Sequence, residues 1–155
     1  MDSLALAVLP FRNGEVSGYT LEKTAKLMKL SFSRILLLHP ELDITVDQWV
    51  ILQLLAKHEV LSQQEIGELA LKDAPTVTRM IDLLEIKGIV ARKADKTDKR
   101  RYKITLTPLG KTKHQIILPL VQEFRNEAFS GISHTELVNL EKILRKIFDN
   151  LHKQN

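Results

Sequence analysis

Residues 62–110 read SQQEIGELALKDAPTVTRMIDLLEIKGIVARKADKTDKRRYKITLTPLG, and this stretch decides the fold. Ser62 and Glu65 form a capping box, which marks the N-terminus of a helix. Asp73 can cap a second helix with Pro75 in its first turn, where a missing N–H costs little. Apolar residues recur at helical spacing after each cap: Ile66, Leu69 and Ala70, then Val77, Met80, Ile81 and Leu84. The stretch therefore predicts a short helix, a turn and a longer helix.

A strongly basic two-strand ribbon is predicted directly after the second helix. Gly88 ends that helix, residues 89–94 form one strand, and a turn follows. Residues 102–106 alternate between apolar and polar side chains, the period of a half-buried strand, and residues 60–61 can add a short third strand. Residues 87–103 hold eight lysines and arginines against two aspartates, a net charge of +6, whereas the whole chain carries +4. An isolated charge run is typical of a solvated loop, but beside a helix pair this one favours nucleic-acid binding.

A helix-turn-helix followed by a basic ribbon is the pattern of a winged helix, whose second helix enters the major groove of DNA. The first helix opens with hydroxyl and amide groups that suit phosphate oxygens, and the exposed first turn of the second can meet base edges. The predicted DNA contacts are Ser62, Gln63 and Gln64, then Pro75, Thr76, Thr78 and Arg79, and on the ribbon, or wing, Lys96, Lys99, Arg100 and Arg101. The alternative is a winged helix that recognises a protein, with its basic wing binding an acidic partner.

Apolar seams mark the helices predicted on both sides of the winged-helix region. Residues 1–19 form an extended or partly helical arm, and the helix capped by Thr45 is apolar around most of its circumference, so we expect it to be central and buried. The winged-helix region needs residues 45–107, and the helices at 20–38 and 108–152 would form a dimerisation region against a second copy. The alternative is a monomeric core. The proposed seam residues are Leu21, Met28, Leu137, Leu140, Leu144, Ile147 and Leu151.

Two further helix starts are predicted towards the C-terminus. Thr107 is a cap followed by Pro108 in the first helical position, and Ser133 forms a capping box with Glu136. Pro119 is expected to bend the first of these helices. The fold class is therefore mainly α with a small β wing: one chain, 1–155, with a winged helix-turn-helix DNA-binding domain flanked by N- and C-terminal dimerisation helices.

Six short motifs resemble one protein family by their order and spacing. They are Thr45-x-x-Gln48-Trp49, Leu61-Ser62, Thr76-Val77-Thr78-Arg79, Leu84-Glu85-x-x-Gly88, Asp98-Lys99-Arg100 and Leu106-Thr107-x-x-Gly110. Together they resemble the MarR (multiple antibiotic resistance regulator) family of winged-helix transcription factors. Two features depart from the family pattern. Asp73-Ala74-Pro75 opens the second helix in place of small polar residues, and the wing has Lys96 and Lys99 where arginines are frequent; both bear on the operator that is read.

The resemblance implies roles that the residue pattern alone does not give. In the family, the pair Asp98 and Arg100 lies at the wing tip, with the arginine in the minor groove and the aspartate orienting it; alone, Asp98 would be a turn residue. The helix that carries Trp49 borders a cleft, so Trp49 and Phe32 are candidates to line a site for a small apolar or aromatic effector, although Trp49 is most simply core. The implied protein is a homodimeric transcriptional repressor that binds a pseudo-palindromic operator in double-stranded DNA and is released by that effector.

Composition argues against several other classes of protein. The 155 residues are 44% hydrophobic and 27% charged, which suits a globular chain with its own core. The chain has no cysteine for a disulfide framework or a cysteine metal site. No apolar run approaches the ~18–20 residues of a membrane span, and no signal peptide is recognised, so we expect a cytoplasmic protein. Five histidines lack metal-ligand spacing, and no nucleophile motif is present, so we predict neither an enzyme, a cofactor nor a metal site.

Overall fold

Six α-helices and three short strands make up the computed structural model, which describes residues 18–98 and 101–154. They are α1 (Gly18–Leu37), α2 (Val46–His58), β1 (Leu61–Ser62), α3 (Gln63–Ala70), α4 (Ala74–Ile86), β2 (Val90–Ala94), β3 (Tyr102–Leu106), α5 (Pro108–Ala128) and α6 (His134–His152). The predicted mainly α fold with a small β wing is confirmed. Helix α1 begins at Gly18 rather than at residue 20, and the rest of the predicted arm, residues 1–17, lies outside the described residues.

The three strands form one antiparallel sheet in the order β1-β3-β2. Ile104 of the central strand lies opposite Leu61 of β1 on one side and opposite Arg92 of β2 on the other. The predicted third strand is therefore present, although it begins at Leu61 rather than at residue 60. Strand β1 attaches the wing directly to the N-terminus of α3.

Strand β2 begins one residue later than predicted, because of hydrogen bonds at the end of α4. The Gly88 N–H donates to the Glu85 carbonyl and the Ile89 N–H donates to the Leu84 carbonyl, both at 2.9 Å. Gly88 has a φ of +70°, in the left-handed region where glycine carries no Cβ penalty. Because the Ile89 N–H still belongs to the helix end, the strand predicted from residue 89 begins at Val90.

Helix α2 lies at the centre of the core, as its sequence predicts. Its Trp49, Ile51, Leu52 and Leu55 are all buried. The elements around it contribute one or more fully buried side chains each: Ile66 from α3, Val77, Ile81 and Leu84 from α4, Ile104 from β3 and Ile117 from α5. The elements within residues 18–121 therefore bury much of their apolar surface against one another.

Helix α3 buries only part of its predicted apolar face. Ile66 and Gly67 are buried, whereas Leu69 is 50% exposed, so the inward prediction for Leu69 is wrong. A Cβ on Gly67 would stand 3.0 Å from the Lys72 carbonyl oxygen and 3.4 Å from Val77. The turn into α4 therefore passes over α3 at Gly67, and this close approach leaves Leu69 towards solvent.

Each predicted side-chain cap opens its helix. Thr45, Ser62 and Ser133 each accept a hydrogen bond from the backbone N–H three residues later, and the side chain at that position accepts a bond from the cap's own N–H. Asp73 caps α4 through its own side chain, which accepts from the Thr76 N–H, and Pro75 lies in the first turn. These bonds satisfy N–H groups that a helix N-terminus otherwise leaves without a partner.

The junction between the wing and α5 depends on Thr107 and Gly110. The Thr107 hydroxyl donates to the Gly88 carbonyl (2.6 Å) and accepts from the Gly110 N–H (3.0 Å). A Cβ on Gly110 would collide with the carbonyl oxygen of Ile89. Only glycine fits there without displacing the backbone, so the motif Thr107-x-x-Gly110 seats the start of α5 against the start of β2. Helix α5 continues through Pro119, and the expected bend stays a prediction.

Residues 122–155 form a second compact unit, which the structure describes to residue 154. It holds the end of α5 and all of α6. No residue of α6 is buried among the described residues, and its apolar side chains are largely exposed. None of the described helices combines the length and the apolar character that a membrane span requires.

Candidate nucleic-acid interface

The N-terminal turn of α4 presents polar side chains on a rigid base. Pro75, Thr78 and Arg79 are exposed and Thr76 is half-buried, whereas Val77 on the opposite face is buried. Three of the four residues predicted to face solvent are therefore exposed, and Thr76 is not fully so. Because the inner face is fixed in the core, the outer side chains project from a helix with little freedom to turn.

Asp73 fixes the first turn of this helix. Its carboxylate accepts from the Thr76 N–H (2.8 Å) and from the Thr76 hydroxyl (3.0 Å). These two bonds, first that from the N–H and then that from the hydroxyl, hold the pKa of Asp73 below its ordinary value. The departure from the family pattern at Asp73-Ala74-Pro75 thus supplies an ionised cap, with the Thr76 hydroxyl proton directed at it.

The predicted phosphate-contacting residues at the start of α3 already have partners inside the protein. Ser62 accepts from the Glu65 N–H as the helix cap (3.1 Å), and the Gln64 amide donates to Glu68 (3.0 Å). Gln63 is held on both sides of its amide, since its nitrogen donates to the Thr78 hydroxyl (3.1 Å) and its oxygen accepts from Arg92 Nε (3.1 Å). Gln63 therefore joins α3 to α4 and to the wing.

The position of Arg92 between the wing and α4 was not predicted from the sequence. Its guanidinium lies 2.6 Å from the Asp82 carboxylate and 2.9 Å from that of Glu85, besides its bond to Gln63. The side chain is only 16% exposed. The sequence counts it among the cations of the wing, whereas the structure uses it to brace β2 against α4. The available signal was the strand period, which places residue 92 on the same face as the buried Val90.

The wing turn is closed by its own hydrogen bonds. Asp95 accepts from the Thr97 N–H (2.9 Å) and from the Thr97 hydroxyl (2.8 Å), and these bonds lower the pKa of Asp95. The Arg101 N–H donates to the Asp98 carbonyl (3.0 Å), and the Asp98 carboxylate lies 3.6 Å from the Arg101 guanidinium. Lys99 and Arg100 lie outside the described residues, so the Asp98–Arg100 pair that the resemblance implies stays a prediction.

Four predicted contact residues meet at a small notch between α3 and β3. The cavity measures about 190 Å³ and is lined by Ser62, Gln63, Gln64, Arg101 and Tyr102. Tyr102 was not predicted to contact DNA. Hydroxyl, amide and guanidinium groups around one concavity are the donors that a phosphate oxygen requires.

Ion pairs neutralise part of the positive charge of the wing. Lys87 at its base pairs with Asp43 (3.0 Å), and Arg92 pairs with two carboxylates. Within the described part of the wing, Lys93 and Lys96 are the cations without an ion pair. The unpaired charge therefore lies away from the base of the wing, on the outer half of the ribbon.

Both candidate effector-lining residues are core residues. Phe32 and Trp49 are 5% and 3% exposed, and the Trp49 indole stacks on the His114 ring with centroids 5.0 Å apart. Burial lowers the pKa of His114. His114 also lines a cavity of about 480 Å³, whose other lining residues include Leu55 and Lys111 but neither Phe32 nor Trp49. His114 is therefore the residue that both lines this cavity and contacts Trp49.

The predicted dimerisation residues are largely open to solvent. Leu21 of α1 and four residues of the α6 seam are exposed, while Met28 and Leu137 are half-buried. Further exposed apolar side chains on α6, which the seam did not include, are Val138, Ile143 and Phe148. The described residues contain no group of three His, Cys, Asp or Glu placed to hold a metal ion.

Comparison with known proteins gives consistent matches along the chain. The family model for the MarR family matches residues 44–102. The organic hydroperoxide resistance transcriptional regulator of Bacillus subtilis is 30% identical over 115 residues, which cover 74% of this chain and 77% of that protein. SarZ, a helix-turn-helix transcriptional regulator of Staphylococcus aureus, is 30% identical over 114 residues, which cover 72% of this chain and 77% of its own.

Solved structures agree with the fold. A MarR mutant from E. coli complexed with operator DNA has a TM-score of 0.76 at 26% identity, covering 84% of this chain and 91% of its own. The S. aureus MepR–DNA complex has a TM-score of 0.78 at 25% identity, covering 88% and 98%. BpsR of Bordetella bronchiseptica, whose DNA binding is regulated by 6-hydroxynicotinic acid, has a TM-score of 0.75 at 25% identity, covering 84% and 96%.

Proposed function

Because the chain belongs to the MarR family of DNA-binding transcriptional regulators, we propose that it is a homodimeric repressor of a pseudo-palindromic operator, released by a small apolar or aromatic ligand. The observation that carries this proposal is that the exposed N-terminal part of α4 lies beside the notch between α3 and β3. Thr78 and Arg79 project from α4, and Ser62, Gln64 and Arg101 line the notch next to it. Helix α4 would enter the major groove while the notch receives a backbone phosphate.

The wing completes the proposed interface. Lys96 lies at its turn, and Lys99 and Arg100 follow in the sequence. A ribbon of two strands is thin enough to lie along the DNA backbone, and its arginine can reach a narrow minor groove. Arg79 can instead meet a guanine edge in fixed geometry, because its helix is held by the core. The helix would therefore provide sequence preference and the wing mainly affinity.

Self-association is supported by the apolar surface of α6. Leu140, Leu144, Ile147 and Leu151 recur at helical spacing and are all exposed. Removing such surface from water is favourable by roughly 25 cal/mol per Å². A two-fold dimer would carry two recognition helices, so its operator would be an inverted repeat with half-sites about one helical turn, or roughly 10 base pairs, apart.

The ligand part of the proposal follows from linkage. An effector that weakens DNA binding must bind the free protein more tightly than the DNA-bound protein, by the same factor. The ring of His114, which stacks on the buried Trp49, lines the cavity together with Leu55 and Lys111, and this supports a flat apolar or aromatic ligand. Aromatic acids and phenols are therefore the compounds to screen, first by thermal shift and then by release of DNA.

Selection from a randomised duplex library tests the DNA part. We expect the purified protein to enrich an inverted repeat, with affinity that falls steeply as salt rises because counterions are released from phosphates. Arg100→Ala should lower the salt slope by about one unit for each phosphate that a subunit no longer neutralises. Enrichment of no sequence, together with an unchanged slope in Arg100→Ala, would contradict the proposal and favour a winged helix that binds an acidic protein.

A further inference from the structure

Three polar side chains form a hydrogen-bonded relay that ends on the recognition helix. Arg92 Nε donates to the Gln63 amide oxygen at 3.1 Å, and the Gln63 amide nitrogen donates to the Thr78 hydroxyl oxygen at 3.1 Å. The other end of Arg92 is fixed by Asp82 at 2.6 Å and Glu85 at 2.9 Å. The relay thus connects β2 and α3 to an exposed side chain in the N-terminal part of α4.

The direction of every bond in this relay is fixed by Arg92. A guanidinium has donors and no acceptor, so the group that faces Nε must be the amide oxygen of Gln63. The amide nitrogen then has to face Thr78, and it too can only donate. Thr78 therefore accepts from Gln63, and its own hydroxyl proton cannot point towards Gln63.

The Thr78 proton is also not taken up by its own helix. Threonine hydroxyls on helices often donate to the carbonyl one turn earlier, as Thr24 does to Thr20 and Thr112 does to Pro108. Among the hydrogen bonds of the described residues, Thr78 makes no such bond. The exposed side is therefore the direction in which the Thr78 hydroxyl can donate.

The neighbouring Thr76 has the opposite polarity. Its hydroxyl donates to the Asp73 carboxylate at 3.0 Å, and a carboxylate can only accept. The proton of Thr76 is therefore committed inside the protein, and only lone pairs remain outward. Two threonines two residues apart thus have opposite hydrogen-bonding roles, each set by a charged group: Arg92 for Thr78 and Asp73 for Thr76.

We propose that Thr78 reads DNA as a hydrogen-bond donor, and that Gln63 and Arg92 are positioning residues that set this polarity. The inference rests on the proposed function, in which the first turns of α4 lie in the major groove. A donor there selects the acceptor groups of a base. Guanine and thymine present only acceptors in the major groove, cytosine presents only a donor, and adenine presents both. Thr78 therefore favours guanine or thymine over cytosine at one position of each half-site.

Gln63→Glu is the sharpest test, because it reverses the relay at its middle. A carboxylate still accepts from Arg92 but can no longer donate to Thr78, so the Thr78 hydroxyl turns to donate to it. Only lone pairs then face the DNA. Libraries of randomised duplex are selected with the wild-type protein and with the variant, and base frequencies are compared position by position. We expect the preference at the Thr78 position to change from guanine or thymine towards cytosine.

Matched variants separate polarity from charge and from folding. Gln64→Glu adds the same charge one residue away, where the amide bonds Glu68 and not Thr78, and should weaken binding without changing any base preference. Thr78→Val removes the hydroxyl from an exposed position and should relax one symmetric position by roughly two- to tenfold, the range of one neutral hydrogen bond. Thr78→Ser keeps the hydroxyl and should retain the wild-type preference. The Thr78 pair keeps the donor role testable if Gln63→Glu unfolds.

The outcomes distinguish this inference from the proposed function beneath it. If the wild-type protein enriches no sequence, the proposed function fails and the relay fails with it. If the wild type enriches an inverted repeat but Gln63→Glu changes base preferences no differently from Gln64→Glu, the relay is overturned while the proposed function stands. A wild-type preference for cytosine at the position that Thr78→Val relaxes also overturns it.

Discussion

Helices α4 and α6 carry the same kind of sequence signal, yet the structure places them in opposite environments. Each begins at a side-chain cap, Asp73 or Ser133, and each has apolar residues at helical spacing. In α4 those residues are buried, with Ile81 fully enclosed, whereas no residue of α6 is buried among those described. An apolar seam therefore identifies a packing surface without identifying the partner that covers it. For α4 the partner is the same chain; for α6 we propose a second copy.

The two helices should differ most in how much an alanine substitution lowers the free energy of unfolding. Ile81→Ala removes a fully buried side chain and should lower the free energy of unfolding by about 2–5 kcal/mol. Ile143→Ala removes an exposed one and should change the stability of the monomer by less than about 0.5 kcal/mol. Urea unfolding at several protein concentrations gives both values. Equal destabilisation of the two variants at the lowest concentration would mean that α6 packs within its own chain.

Dimerisation gives the next test, because it should depend on α6 and not on α4. Leu144→Glu places a charge in the proposed seam and should raise the dimer dissociation constant about 10- to 100-fold, since the buried charge has no partner. Light scattering across a dilution series measures the constant. Asp82→Glu on α4 keeps its charge and serves as the control. A wild-type protein that is monomeric at micromolar concentration would contradict the dimer.

DNA binding should depend on α4 and not on α6, the opposite of what is expected for dimerisation. Arg79→Ala on α4 should cost about 1–3 kcal/mol of operator binding and relax the preference at one symmetric position. Arg145 on α6 is an exposed arginine paired with Glu141 at 2.7 Å, and Arg145→Ala should leave operator binding unchanged. Titrations with the selected duplex and with a scrambled one supply the comparison. If both variants lose the same affinity, general charge rather than helix position explains the effect.

The two helices should differ least in their response to acid, because each has one ionised carboxylate at its N-terminus: the cap Asp73 in α4 and the capping-box residue Glu136 in α6. Bonds from Thr76 lower the pKa of Asp73, and bonds from Ser133 lower the pKa of Glu136. A folded pKa below the unfolded value stabilises the protein above the unfolded pKa, and this stabilisation disappears as pH falls through the folded pKa. Stability should therefore decline below about pH 4.

Neutral replacements can separate the contributions of Asp73 and Glu136 in the acid test. Asp73→Asn keeps a good cap for α4 and removes its titration, and Glu136→Gln does the same for the capping box of α6. Thermal unfolding between pH 6 and pH 3 should show a smaller acid destabilisation in each variant than in the wild type. An identical pH profile for the wild type and both variants would mean that these carboxylates do not contribute to acid sensitivity.

The positions of the elements were predictable because their signals are local. A cap, a proline in the first turn and a helical period lie within about one or two turns of each other, so Asp73, Pro75 and Ile81 can be interpreted without knowing the rest of the chain. The exposure of Pro75, Thr78 and Arg79 followed from the same periodicity. The prediction for Leu69 failed for a reason that also lies nearby in the sequence. Leu69 has the helical spacing of a buried residue, but the chain passes close to Gly67 and Leu69 is exposed.

The partners of charged and amide groups were not predictable in the same way. Arg92 looks like one more cation of the wing, and Gln63 looks like a free amide at a helix start. Their roles depend on bringing together residues 63, 78, 82, 85 and 92, which belong to three separate elements. Pairwise contacts over such separations are set by how the elements pack, which periodicity does not encode.

The sequence by itself determined the helices, the wing, their caps and the face of α4 that is polar, because hydrogen-bonding and burial preferences act over a few neighbouring residues. The tertiary structure alone decided that Arg92 braces the wing, that Gln63 orients the hydroxyl of Thr78, and that Trp49 stacks on His114. These arrangements require groups distant in the chain to meet within about 3–5 Å, and only the packed core fixes such distances.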